Sequence, residues 1–397
     1  MPAVIPSVVL KPKMVLPFYA RHPWVFAGAV ERTEGSPADG DEVNLVTNAG
    51  KFVARGLYNS RSKIVTRLYS WEPDRPLDAD FFRGQFQTAI KLRDDLGLHR
   101  PGLGCRLVFS EADAFSGCIV DEYDGWLSMQ FTALGLANRR EMLAEILQEL
   151  TAAKGVYVRT EKGVGQLEGL ELQDGLLRGE SPPPDLTFIE NGLKLRVNIA
   201  EGQKTGYYHD QRDNRAAVAK LAKGRRVLDA FSYTGGFGLN CARAGAASVE
   251  CLDVSEAALN LARENAELNG LTGMTFTKGD VFRKLDEYVT EGRNYDLVVL
   301  DPPKFARTRS AIPDAIKGYR HLLKQGLLLL PPGGILVMCC CSGLISSDVL
   351  TDVMAQAAAQ AHRPVQLIEK RGPAPDHPTA LSCLETSYLK CVIARVG

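Results

Sequence analysis

The stretch "RRVLDAFSYTGGFG", Arg225 to Gly238, decides how this chain is read. Val227 and Leu228 belong to a short apolar strand, and Gly235 and Gly236 follow in a loop where bare backbone can approach a ligand closely. Dinucleotide enzymes share a strand feeding a glycine-rich loop, but the phosphate-cradling spacing G-x-G-x-x-G is absent here. Acids stand in its place: Asp229 at the end of this strand, Asp253 at the end of "SVECLDVS", and Asp280 after "MTFTKGD". Asp253 follows the loop by nearly the interval at which an acid meets a ribose hydroxyl in doubly wound folds. A nucleoside cofactor without a pyrophosphate is therefore expected. S-adenosylmethionine is the first choice, with Asp253 on the ribose and Asp280 on the adenine amine. For each acid taken singly, capping a helix is the competing role.

Outward from this loop, from about residue 187 onward, strands alternate with helices, as in βαβ units around a parallel sheet. "EAALNLARENAELNG" is an amphipathic helix with Ala258, Leu261 and Ala262 on one face. "YDLVVLDPPKF" places Asp301 at the carboxyl end of an apolar strand, where such sheets bind ligands. Pro302 and Pro303 stiffen the backbone after it and remove two amide donors, leaving a rigid loop suited to a planar base edge. Lys304 is open to a substrate phosphate or to solvent alone.

The next strand, "GGILVMCCCSG", ends in three cysteines. Side chains alternate along a strand, so Cys339 and Cys341 share a face and Cys340 points to the other. Cys341 is nearest the rim, and the two deeper thiols are expected to pack as small hydrophobes. In methyltransferase sheets this strand neighbours the one ending at Asp301, so the two tips converge. A thiolate adding to carbon 6 of cytosine makes carbon 5 nucleophilic toward a sulfonium methyl, which is covalent catalysis. Asp301 near ring nitrogen 3 would stabilise that adduct. An unperturbed thiol titrates near 8.5 and is only a few per cent ionised at neutral pH, so its surroundings must help.

Toward the N-terminus the pattern differs. Up to about residue 78, short β-like runs such as "DEVNLV" and "KFVARGLY" alternate with turns, suggesting a small barrel or sandwich. "ARHPWVFAGAVER" sets Trp24 and Phe26 among Arg21, His22 and Arg32, a mixture that can stack on and neutralise nucleic acid or serve as core. A boundary at "SWEPDRPLDAD" opens a second section, 79–186. There "DADFFRGQFQTAIKLRDDLGL" reads as a helix with Phe82, Phe86, Ala89 and Ile90 inward, and "CIVDEYDGWLSMQF" as a hairpin turning at Asp124-Gly125. "RREMLAEILQELTAAKG" is a second helix ending at Gly155. The section closes near "GESPPPDL".

Composition bounds the rest. The chain has 397 residues, enough for two or three domains, with 45% hydrophobic and 24% charged residues, the profile of a soluble globular protein. Its longest apolar candidate, "GLLLLPPGGILVMCCC", is broken by prolines and glycines, and prolines interrupt any N-terminal leader, so a cytoplasmic protein without membrane attachment is expected. Nine cysteines without a C-x-x-C pair fit reduced thiols and no metal site. A formal net charge of zero gives no global pull on a polyanion, leaving local patches to bind one.

Taken together, "RHPWVFAGAV" (21–30), "KTGYYHDQRDNR" (204–215), "FSYTGGF" (231–237), "DPPKF" (301–305) and "CSGL" (341–344) resemble one family over nearly the whole chain. It is the class I S-adenosylmethionine-dependent methyltransferases with an N-terminal PUA domain, the RlmI-like large-subunit ribosomal RNA cytosine-5 enzymes. The resemblance implies a β-barrel PUA domain over 1–78, a small α+β domain over 79–186 and a Rossmann-like α/β catalytic domain over 187–397. It implies Cys341 as nucleophile and Asp301 as base-binding acid. Phe231, Tyr233, Thr234, Gly235, Asp253, Asp280 and Asp301 would line the cofactor, with Tyr208, Gln211 and Arg212 closing over it. Arg21, Trp24 and Lys304 would face RNA, most naturally ribosomal RNA or an assembly intermediate.

Two features depart from the pattern. Pro303 stands where many RNA cytosine-5 enzymes place a second cysteine for product release, and the Cys339-Cys340 pair is unusual. Two other readings stay open. A base-nitrogen methyltransferase of the same fold, acting for example on guanine, needs no thiol. A noncatalytic RNA-binding protein would keep only a degenerate domain. The oligomeric state is open, a homodimer included.

Overall fold

Apolar strands of alternating inward and outward side chains build the unit that holds the glycine-rich loop. In the computed structural model, which describes residues 5–160, 162–202 and 204–397, this unit comprises Ile189–Arg196, Asp210–Ala374 and Ser387–Gly397. Its sheet strands are β1 (Arg226–Ala230), β2 (Ser248–Asp253), β3 (Met274–Lys278), β4 (Leu297–Leu300), β5 (Ile335–Cys340), β6 (Val365–Arg371) and β7 (Lys390–Val396). They lie in the order β3-β2-β1-β4-β5-β7-β6. The first five run parallel, and β7 enters antiparallel between β5 and β6. The order reverses at β1, which has β2 on one side and β4 on the other. Ligands of open α/β sheets bind at that reversal, outside the carboxyl ends of the strands. The expected neighbours β4 and β5 do pair, with Leu300 opposite Met338.

Alternation assigns each strand residue to one of two cores. Leu228, Leu300, Met338 and Cys340 pack with Tyr319 and Leu322 of helix Ile312–Leu328 and with Leu350 of helix Ser347–Gln360. Val227, Val299, Val337 and Cys339 pack on the opposite face with Val218, Phe237 and Leu259 from helices Arg212–Ala219, Gly236–Arg243 and Glu256–Leu268. Helices therefore cover both faces, as a parallel sheet requires. On Glu256–Leu268 the buried stripe is Ala258, Leu259, Ala262 and Ala266, whereas Leu261, expected inward, is half-buried. At 100° per residue Leu261 falls on the edge of that stripe.

The other unit is Met1–Phe188, Val197–His209 and Pro375–Thr386. Its first sheet has the order Trp24–Phe26, Ile64–Ser70, Phe52–Tyr58, Glu42–Val46, Ser7–Leu10, Val30–Glu34, and Val8, Val25, Val43, Leu45 and Leu68 fill its core. A second sheet orders Gly175–Gly179, Gly155–Arg159, Trp126–Phe131, Cys118–Tyr123 and Gly104–Phe109. Helix Ala79–Asp95 starts where the Asp78 carboxylate accepts the Phe81 amide, and it buries Phe82, Phe86, Ala89 and Ile90 as expected. The hairpin turns at Asp124 and Gly125, both at positive φ. Gly155 does not end the preceding helix. That helix, Arg140–Thr151, is closed by left-handed Ala152, and Gly155 opens the next strand, where a Cβ would run into the Glu180 carbonyl.

Candidate active site

The turn after β1 is tightly wound: Phe231, Tyr233 and Gly235 have φ of +63°, +49° and +79°. Only glycine takes that region readily, so two side-chain-bearing residues there mean local strain held by the surroundings. The Ser232 amide bonds the Leu252 carbonyl at 3.1 Å, and the Gly235 amide bonds the Ser232 carbonyl at 2.8 Å. Asp253, at the end of β2, accepts the Tyr233 amide at 2.8 Å and the Ser255 amide at 2.9 Å. Phe231, Tyr233, Thr234, Gly235 and Asp253 are thus gathered at one place, the carboxyl ends of β1 and β2.

Asp229 is fully buried beneath this turn. One carboxylate oxygen accepts the Gly238 amide at 2.7 Å, and the other has no hydrogen-bond partner among the described residues. Burial, reinforced by the charges of Asp301 and Asp253, pushes its carboxyl up to about 7 against the opposing Gly238 bond. The Ser232 hydroxyl is also buried without a partner among the described residues. Buried polar groups are rarely left this way unless something else satisfies them. S-adenosylmethionine carries an ammonium, ribose hydroxyls and an adenine amine, so unspent acceptors beside an open glycine turn fit it. Asp280 is exposed and caps helix Val281–Thr290, accepting the Arg283 amide at 3.0 Å. Asp280 thus takes the capping role that competes with cofactor binding, whereas Asp253 is half-buried and bonds loop amides, with Ser255 capping the helix that follows.

Asp301 follows β4 and receives the Gln211 side-chain amide at 3.1 Å. Gln211 is fixed in turn by Asn214, whose amide donates to it at 2.7 Å. Arg212 is buried, and its carbonyl accepts from Asn191 at 3.0 Å. One residue beyond the Leu300–Met338 pair, Asp301 comes level with Cys339, and its charge acts on that thiol. Cys339 is fully buried opposite Cys391, and burial holds it well above the ordinary thiol range. Cys340 faces the other core and donates to the Tyr319 hydroxyl at 3.4 Å. Among the described residues, Cys341 alone of the nine cysteines is not buried.

Lys304 is exposed on the loop after Asp301. The remaining sequence candidates belong to the other unit. Tyr208 has the Lys204 ammonium 4.7 Å from its ring centre. Trp24 is half-buried, its indole donating to Glu111 at 3.0 Å and to Ser116 at 3.1 Å. Arg21 is exposed, and its guanidinium lies 5.8 Å from the Trp71 ring, on a cavity of 430 Å³ shared with Arg75 and Phe81.

Three residues at the strand tips were not foreseen from sequence as they stand. Ser232 was hidden in the loop string, Gln211 was expected on the cofactor and holds Asp301, and Lys390 reaches the tip of β5 only through the antiparallel return of β7. No local pattern marks the last of these.

A family model described as S-adenosylmethionine-dependent methyltransferase matches residues 175–386, and one described as PUA-like domain matches residues 8–71. The ribosomal RNA large subunit methyltransferase I of Aeromonas salmonicida is 40% identical over 378 residues, covering 94% of this chain and 95% of that protein. The protein of that name from Escherichia coli O139:H28 is 40% identical over 379 residues, covering 95% and 96%. Among solved structures, SMU.776 complexed with SAH superposes with a TM-score of 0.85 at 20% identity, over 99% of this chain and 100% of that one. Trm5b from Pyrococcus abyssi gives 0.53 at 18% identity, over 70% and 74%. At such identities these two likenesses concern the fold. No helix among the described residues is long and apolar enough to cross a membrane.

Proposed function

The chain belongs to the ribosomal RNA large subunit methyltransferase I family, a group of S-adenosylmethionine-dependent methyltransferases with a PUA-like domain, and from that premise we propose that it methylates carbon 5 of a cytosine in large-subunit ribosomal RNA. The observation that supports this chemistry is the placement of Cys341. It is the accessible thiol at the tip of β5, beside the strand that ends at Asp301. A base-nitrogen methyltransferase has no use for a thiol there, because a nitrogen lone pair attacks directly.

The proposed division of labour assigns residues 1–78 to holding RNA, 79–186 to a small α+β domain and 187–397 to catalysis. Phe231, Tyr233, Thr234, Gly235, Asp253 and Asp280 would hold the cofactor, with Tyr208, Gln211 and Arg212 closing the site and Asp229 and Ser232 added for their unspent acceptors. When bound, S-adenosylmethionine supplies an electrophilic methyl group on a sulfonium. The Cys341 thiolate adds to carbon 6 of the cytosine, and the electron pair of the 5,6 double bond becomes available at carbon 5. As the thiolate adds, Asp301, steadied by Gln211, delivers its proton to nitrogen 3, so the negative charge that addition puts on the ring is neutralised and the adduct is an enamine. After methylation a base removes the carbon 5 proton, the double bond re-forms and the thiolate leaves. With Pro303 in the place of a second cysteine, a water or Asp301 itself takes that proton. The target base must be unpaired or flipped out, since a base stacked inside a duplex cannot present its carbon 6 to the thiol. Lys304, Arg21 and Trp24 are the proposed RNA contacts.

Ribosomal RNA fragments carrying 5-fluorocytosine test this reading, because fluorine at carbon 5 blocks the elimination. A covalent protein–RNA adduct is expected, lost in Cys341→Ala and kept in Cys339→Ala and Cys340→Ala. An adduct that survives Cys341→Ala overturns the assignment. Methylation mapping in ribosomal RNA from a deletion strain identifies the nucleotide.

A further inference from the structure

Lys390 opens β7 directly across from Cys340 in the antiparallel pair. Its ammonium donates to the Ser342 carbonyl at 2.7 Å and to the Tyr388 carbonyl at 3.0 Å. An ammonium has three donors, so among the described residues one N–H is left over. The side chain is half-buried, and among the described residues no carboxylate lies within ion-pair distance of it. Carbonyl oxygens solvate such a cation without neutralising it. A partly desolvated charge normally has a counter-charge beside it.

We propose that Lys390 is a positioning residue for Cys341, its ammonium supplying the counter-charge that holds this thiol as thiolate; the catalytic purpose rests on Cys341 being the nucleophile. Ser342, whose carbonyl anchors the ammonium, is the residue next to Cys341, so the anchor sets the cation at the tip of β5. The charged and titratable groups around it agree with that role. Burial is the largest influence and holds Lys390 below the ordinary lysine range, while Cys340 and Cys341 at the end of β5 act in the opposite direction. Lys304, on the loop after β4, adds a second positive charge to the neighbourhood. Tyr319 of helix Ile312–Leu328 is raised by burial first and then by Cys340 and Cys341, so its hydroxyl stays neutral. Asp301, at the tip of β4, bears on Cys339, and the Tyr388 hydroxyl is engaged with Asp210. A thiolate at Cys341 is the counter-charge this placement calls for, since a neighbouring cation lowers the pKa of a thiol.

Alkylation of the full-length protein by iodoacetamide between pH 6 and 10, with Cys341 followed by peptide mass spectrometry, tests this without RNA or cofactor. In the wild-type protein the midpoint of the pH–rate curve is expected below the ~8.5 of a free thiol. Lys390→Met should raise the midpoint by about one pH unit. The thiolate fraction at pH 7 then falls about tenfold while the more basic thiolate is about threefold more nucleophilic, so the rate at pH 7 drops about threefold. Lys390→Arg should hold the midpoint within a few tenths of the wild-type value. A wild-type midpoint at or above 8.5, a result that needs no variant, overturns the proposal, as does an unmoved midpoint in Lys390→Met. A shifted midpoint with no 5-fluorocytosine adduct would refute the nucleophile and leave the thiolate–ammonium pair standing.

Discussion

Asp229→Asn should change how stability depends on pH. In the unfolded chain this carboxyl titrates near 3.9, whereas in the fold burial raises it to about 7. Between those values the native protein holds a proton that the unfolded chain has released. Stability from this group is therefore greatest at low pH and is lost as pH rises toward 7. The side chain is fully buried, so solvent does not screen the effect. Above pH 5 the unfolded carboxyl is already ionised while the folded one keeps its proton until about pH 7. Each pH unit of that interval costs about 1.4 kcal/mol, so about 3 kcal/mol is lost by pH 8. Asparagine is neutral throughout, keeps an oxygen for the Gly238 amide and has nearly the same volume. The variant should lack this decline. Trp24, Trp71 and Trp126 all lie in the unit that does not contain Asp229, so tryptophan fluorescence would miss the event. Hydrogen exchange at the β1 amides of Val227 to Ala230, corrected for intrinsic rates, reads the correct region. The difference in opening free energy between variant and wild type should widen by about 3 kcal/mol from pH 5 to pH 8. Parallel profiles would refute the account of Asp229 as a desolvated acid. Saturating S-adenosylmethionine at pH 8 should protect wild-type β1 more than the variant, as the proposed cofactor role of Asp229 requires.

Other perturbations follow from single contacts. His99 is raised to about 9, first by its hydrogen bond to Glu122 and also by Asp94, so its contribution is present below pH ~6.5 and fades as pH rises through 9; His99→Gln should flatten a loss of about 1–2 kcal/mol seen by tryptophan fluorescence over that window. Arg93 is fully buried, gripping Asp113 at 2.7 and 2.8 Å, so Arg93→Met should cost about 3–5 kcal/mol in urea unfolding by stranding that carboxylate. Gly236→Ala would set a Cβ 2.5 Å from the Arg215 guanidinium, which pairs with buried Glu190 at 2.9 Å; a loss of about 2–3 kcal/mol is expected in the exchange of β1, and an unchanged value would mean that Arg215 can yield without leaving Glu190.

The sheet and its two faces could be read from the chain because the information is local. Alternation in "RRVLDAF" and "GGILVMCC" sends Cys339 and Cys340 to opposite cores, and glycine spacing in "YTGGF" marks a turn whichever sheet it serves. Helix Ala79–Asp95 and the Asp124-Gly125 hairpin were legible for the same reason, since cap, period and turn type lie within a few residues. Gly155 shows the limit of such local signals. A glycine after a helix looks like a cap, yet here a carbonyl from Glu180, twenty-five residues on, is what excludes a side chain.

The sequence alone determined the order of elements, the acids at successive strand ends and the candidate thiol at the rim of β5. Only the tertiary structure decided what each polar group spends its bonds on. Asp253 holds loop amides, Asp280 caps a helix, Gln211 holds Asp301, and Asp229 keeps an oxygen in reserve. It also brought Lys390 to Ser342, forty-eight residues away, by inserting the last strand antiparallel beside β5. Propensity and periodicity act within a turn or a strand, but desolvation and charge act through space, and distance along the chain carries no record of which ammonium will face which thiol.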